Sequence, residues 1–101
     1  MDVIAERPLI QVDSTGNRVE FTLKIGRPYQ VSAGEWACPI EAAALQPEFL
    51  DIRGDDSFQA LTLAQWFLCD LMVHHTNNGG SYLWPDSLEP VDLKTMFFGR
   101  V

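Results

Sequence analysis

The sequence predicts an α+β fold: an antiparallel β-meander of about four strands packed against one long helix, with a short C-terminal strand or turn segment. Three observations carry this. Val19, Phe21, Leu23 and Ile25 alternate with Glu20, Thr22 and Lys24, a period of two that gives a strand one dry and one wet face. Such alternation belongs to antiparallel sheets solvated on one side. Turn-forming residues recur at Ser14–Asn17, Gly26–Pro28 and Ser32–Gly34. Finally, the longest apolar stretch lies within residues 58–73, interrupted by Gln59, Gln65 and Asp70, with Asp55-Asp56 before it and Asn77-Asn78-Gly79-Gly80 after it.

In chain order, Leu9-Ile10-Gln11-Val12 after Pro8 reads as the first strand, and Ser14-Thr15-Gly16-Asn17 as the turn that follows it. The alternating segment 19–25 is the second strand; it ends at Gly26-Arg27-Pro28, where Pro28 biases Arg27 to an extended conformation. Tyr29-Gln30-Val31 leads into the turn Ser32-Ala33-Gly34. Trp36, Cys38 and Ile40 place apolar groups on one face of a third strand. Pro39 cannot donate to a ladder, which puts that strand at an edge or at a bulge. A short fourth strand fits Phe49–Arg53.

Asp56 is a good N-cap for the helix, with Gln59 three residues on to complete a capping box. From Ser57 to His75 at 1.5 Å per residue the helix spans roughly 28 Å. At 100° per residue, Ala60, Leu61, Ala64, Phe67, Leu68, Leu71 and Met72 share one broad arc, the expected core face. Thr62, Trp66, Cys69 and Val73 share a second arc, leaving Gln59, Leu63, Asp70 and His74 for water. A surface helix ordinarily carries one apolar stripe, so the second needs a cover. The C-terminal segment can supply it, with Ser81–Trp84 as a returning strand and Val91, Leu93, Met96, Phe97 and Phe98 as a packed turn or short helix. A second copy of the chain is the alternative cover.

The chain has 101 residues, 47% of them apolar and 21% charged, which suits one globular domain spanning 1–101. No secretory signal or apolar run long enough to cross a membrane is evident. Cys38 and Cys69 lie in apolar sequence and read as buried thiols, with a disulfide between them as the alternative. These readings place the protein in the cytoplasm. The net charge is −7, and residues 54–93 hold six acids with no Lys or Arg. That distribution disfavours binding to phosphate backbones; the simpler reading is an acidic balance that keeps the protein soluble, and the alternative is attraction of a basic partner.

No catalytic, cofactor or metal site stands out. His74 and His75 point about 100° apart on a helix, and with Cys69 they match no zinc spacing. Asp55-Asp56 is explained by helix capping. No nucleophile elbow, P-loop or dinucleotide fingerprint occurs. The residue types enriched at protein interfaces, Arg, Tyr and Trp, single out Arg27, Tyr29, Trp36, Trp66, Tyr82 and Trp84 as candidate contact residues. The other reading makes Trp36 and Trp84 core aromatics and pairs Arg27 with a carboxylate.

Ile25-Gly26-Arg27-Pro28-Tyr29, Glu35-Trp36-Ala37-Cys38-Pro39-Ile40 and Ile52–Leu61 together resemble a family of small uncharacterised bacterial proteins. That family carries IGxP, WxC and GxDSxQAL signatures. The resemblance covers about residues 4–75 and implies bacterial origin, without an activity to carry over. Three functional classes are expected in order: a non-enzymatic domain that binds a protein partner, immunity- or antitoxin-like in size and charge; a small-molecule binder or enzyme with a pocket near Arg27, Tyr29 and Trp84; and a homodimeric structural subunit.

Overall fold

The computed structural model describes residues 1–99, leaving out the side chain of Pro47. Six strands form one antiparallel sheet: β1 (Val3–Val12), β2 (Arg18–Gly26), β3 (Tyr29–Ser32), β4 (Glu35–Ala42), β5 (Gln46–Gly54) and β6 (Ser81–Leu83). Two helices accompany it, α1 (Ser57–Asn77) and α2 (Leu93–Phe98). The α+β meander is as expected, with more strands than the four the sequence suggested.

Reversals join β1 to β2, β3 to β4 and β4 to β5. The first is held by Asp13, whose Oδ1 accepts from Thr15 N at 2.9 Å, Thr15 Oγ1 at 2.6 Å and Asn17 N at 3.0 Å. Gly16 closes this turn at φ +92°, where a side chain would be strained. β2 and β3 are successive parts of one path along β4, broken at Arg27-Pro28. Ile25 pairs with Ile40, and beyond the break Tyr29 pairs with Ala37. β6 returns after α1 to pair with residues 10–12 of β1.

The expected edge position of the Trp36–Ile40 strand is corrected here. β4 is internal, with β5 on one side and β2 and then β3 on the other. Pro39 is tolerated because it lies where β4 passes from β2 to β3, so no ladder donor is required of it there. A register shift between Ile40 and Ala42 adds the anticipated irregularity.

Pairing fixes the two faces. Leu9 opposes Phe21, Ile25 opposes Ile40, and Ile40 opposes Leu50, so these side chains share the face that α1 covers. The core joins Leu9, Phe21, Leu23, Cys38, Ile40 and Tyr82 of the sheet to Ala60, Ala64, Leu68 and Met72 of α1. Asp56 caps α1 as expected, accepting from Gln59 N at 2.7 Å, while Gln59 Oε1 accepts from Asp55 N. Gly54 lies directly beneath the helix start: a Cβ there would stand 2.6 Å from the Ala60 nitrogen. At the far end, His75 Nε2 lies 2.9 Å from the Val12 carbonyl oxygen and ties α1 to β1. The helix thus runs from the β5 edge to the end of β1, and one helix over one sheet gives a slab of 46 × 33 × 23 Å.

Two measurements test this account. Leu68→Ala should cost about 2–5 kcal/mol in urea denaturation, whereas Leu63→Ala, on the exposed side of the same helix, should change stability by about 0.5 kcal/mol or less. The Asp13 hydrogen bonds, those from Thr15 foremost, hold its carboxyl below the ordinary value of 3.8. A depressed carboxyl stabilises the fold above its unfolded-state pKa, and that stabilisation is lost as pH falls through the folded-state value. The stability gap between wild type and Asp13→Ala should therefore narrow as pH falls from neutral through and below the ordinary carboxyl value of 3.8. A gap that stays constant with pH would remove the charged turn from the account.

Candidate functional site

Helical geometry sets up the most distinctive surface. Ala60, Ala64, Leu68 and Met72 recur every four residues and are all buried, forming the line that meets the sheet. At 100° per residue Trp66 stands opposite the middle of that line, with Val73 and Leu63 beside it. Trp66 is 53% exposed, and Leu63 and Val73 are exposed as well. The expected second stripe of Thr62, Trp66, Cys69 and Val73 is therefore covered only in part.

The partial cover is intramolecular. α2 packs against α1, capped by Asp92, whose Oδ1 accepts from Lys94 N at 3.1 Å. Phe98 meets the Trp66 ring edge-on, with centroids 6.0 Å apart, and Cys69 is shielded to 8% exposure. Yet Phe98 itself remains 57% exposed, and Phe58, in the first turn of α1, is 79% exposed. From Phe58 to Val73 this crest extends roughly 22 Å along the helix. Between the helices lies a cleft of about 220 Å³ lined by Thr62, Gln65, Trp66, Cys69, Phe97 and Phe98. A connected set of exposed aromatic and aliphatic groups is the usual mark of a contact surface.

The six singled-out residues are not brought together. Arg27 and Tyr29 lie on the sheet face away from α1, around an open depression of about 350 Å³ shared with Met1, Asp2, Pro39, Phe49 and Asp51. There Arg27 pairs with Asp2 at 2.7 Å and Tyr29 Oη donates to Asp51 Oδ2 at 2.6 Å. That bond raises the Tyr29 pKa, because the anion would face a carboxylate. Trp36 is half-buried against the core. Tyr82 is 2% exposed and offers a partner nothing; its hydroxyl donates to Gln11 Oε1 at 3.1 Å, and burial pushes its pKa well above the ordinary range. Trp84 packs against the core, its ring 5.0 Å from the Arg7 guanidinium. The sheet separates it from Tyr29, so Arg27, Tyr29 and Trp84 do not line one pocket.

Phe58 and Phe98 complete the crest and were not singled out. Phe58 could have been suspected from its place at the exposed first turn, since capping leaves that turn's side chains free. The partial exposure of Phe98 follows from the docking of α2, which the sequence does not specify.

Both thiols are free and buried, and burial raises the pKa of each, which keeps them protonated and weakly nucleophilic at neutral pH. Cys38 Sγ lies 3.5 Å from the Gly26 carbonyl. Among the described residues no three His, Cys, Asp or Glu side chains gather as a metal site, and no helix is long and apolar enough to cross a membrane. No protein-family model matches the chain, and no curated protein or solved structure matches it significantly. The segments behind the family resemblance hold structural posts here: Gly26 at the end of β2, Trp36 and Cys38 on the covered face of β4, Asp56 at the cap of α1.

Trp66→Glu distinguishes a surface crest from intramolecular core. A folded protein with near-wild-type circular dichroism is expected, at a cost of about 1 kcal/mol for the lost Phe98 contact. Global unfolding would place Trp66 in the core, where an unpaired charge is very costly.

Proposed function

We propose that this chain is a non-enzymatic protein-binding domain of the bacterial cytoplasm, an immunity- or antitoxin-like inhibitor, and that α1 with α2 is its docking face. The observation that carries the reading is the crest itself: Trp66 stands opposite the core line, with Leu63, Val73 and Phe98 exposed around it. Leaving such groups in water gains the monomer nothing; covering one large aromatic contributes about 2–3 kcal/mol to association. The sheet's other face is a poorer candidate. It carries the ion pairs Lys24–Glu41, Arg27–Asp2 and Arg53–Glu35, each open to solvent and already satisfied. The domain is small enough to act by occlusion, its crest being about as long as a partner's binding helix or groove.

Affinity capture with matched variants tests the proposal. Tagged wild type, Trp66→Ala and Tyr29→Ala are exposed to lysate of the source organism at low and high salt. Proteins retained by wild type and Tyr29→Ala but lost by Trp66→Ala are the expected result. An identical set on all three would remove α1 as the docking face.

A further inference from the structure

The cleft between α1 and α2 has an electrostatic setting that narrows what can occupy it. Among the described residues, all three ion pairs lie on the sheet face away from α1, and none uses an acid from residues 54–93. α1 itself carries one acid, Asp70, and no Lys or Arg. Asp70 follows Trp66 by one turn and precedes Val73, which puts a carboxylate in the middle of the apolar crest. Asp55 and Asp56 stand beside Phe58 at one end, and Asp92 caps the start of α2, which carries one cation, the exposed Lys94. A net charge of −7 adds a long-range field of the same sign.

From this, resting on the docking-face reading above, we infer that the α1–α2 cleft receives an apolar anchor from a lysine- or arginine-rich amphipathic helical segment of another protein. The anchor enters between Trp66 and Phe97, and the flanking cations of the segment face Asp70 and the Asp55-Asp56 end. The cleft volume of about 220 Å³ holds one aliphatic or aromatic side chain and little more. Trp66, with its ring open to solvent, can also take a cation over its face.

A second copy of this chain fits less well. Face-to-face pairing about the crest would bring two acidic α1 surfaces together, with one Lys, Lys94, on each α2 to answer Asp55, Asp56 and Asp70. The copy's Lys24, Arg27 and Arg53 are committed on the opposite face of its sheet, and its Arg7 is held against Trp84. Like charges brought together in this way suppress the pairing.

The test uses synthetic probes on the intact protein, followed by backbone amide shifts. One probe is an amphipathic helical peptide of about 18 residues built from Leu and Lys; its controls carry Glu in place of Lys, or Lys without Leu. The Leu–Lys peptide should move the α1 and α2 resonances around the cleft. Its affinity should fall at least about tenfold between about 50 mM and about 500 mM salt, and about tenfold in both Trp66→Ala and Phe98→Ser. The second variant guards against a folding defect in the first. Equal binding of the Leu–Glu peptide at the same residues would overturn the charge assignment while leaving the docking face in place. Equal binding of the Lys-only peptide would overturn the anchor. Concentration-dependent shifts at the cleft without peptide would assign it to a second copy. If no peptide moves the cleft, the inference falls; the docking face falls too only if capture from lysate is also indifferent to Trp66→Ala.

Discussion

The close seating of α1 on the sheet is the constraint from which most of the molecule follows. Gly54 has no side chain because the helix backbone passes where one would be, 2.6 Å from the Ala60 nitrogen. Ala60 and Ala64 continue the close approach, and Leu68 and Met72 then fill the space as the helix runs on. A line of residues that grows from small to large acts as a wedge, setting the tilt of the cylinder over the strands. Close packing makes that tilt hard to change, since interiors have few voids and rotamers are fixed. With the buried line fixed, the opposite line is fixed too, and it is Trp66 that occupies it.

How much of this the sequence reveals depends on whether each element has one dry face. β2 does, and its alternation of Phe21, Leu23 and Ile25 with polar residues locates it closely. The helix start is equally legible, because Asp56 and Gln59 report a local hydrogen-bonding need that no tertiary contact overrides. By contrast, Val3–Pro8 and Tyr29–Ser32 are exposed along their whole length, so burial imposes no period on them. These stretches are strands only because a neighbour pairs with them. The same reasoning explains Pro39: internal to the sheet yet compatible with it, because the adjacent strand is interrupted at Arg27-Pro28.

The candidate surface was legible to a similar degree. Two apolar arcs on α1 are visible in the residues themselves, and they imply that something more than the sheet must contact the helix. How far α2 would cover the second arc is not visible, since a six-residue helix contributes little periodicity and its docking is set by tertiary packing. Tyr82 shows the converse limit. Residue type marks it as a candidate for an interface, but its hydroxyl is satisfied by Gln11, whose Nε2 in turn donates to the Ala44 carbonyl at 3.2 Å. That small chain lets a tyrosine serve as core.

Charge divides the slab as sharply as hydrophobicity does. On the open sheet face acids and bases alternate across strands, so neighbours neutralise one another at short range and the face presents little net field. On the helix side Asp55, Asp56, Asp70 and Asp92 enter no ion pair among the described residues, and the helices answer them with one cation, Lys94 of α2. The two arrangements have different consequences for association. A mosaic of satisfied pairs must be broken before another protein can use it, and each exposed pair returns little when re-formed. A carboxylate that enters no ion pair among the described residues, beside an exposed tryptophan, needs no such disruption: a cation arriving with an apolar neighbour satisfies both groups at once. On the proposed reading, steering by the field would bring such a partner in, and desolvation of Trp66 would hold it. For a chain that binds a protein partner as proposed, the asymmetry between the faces therefore favours the helix side.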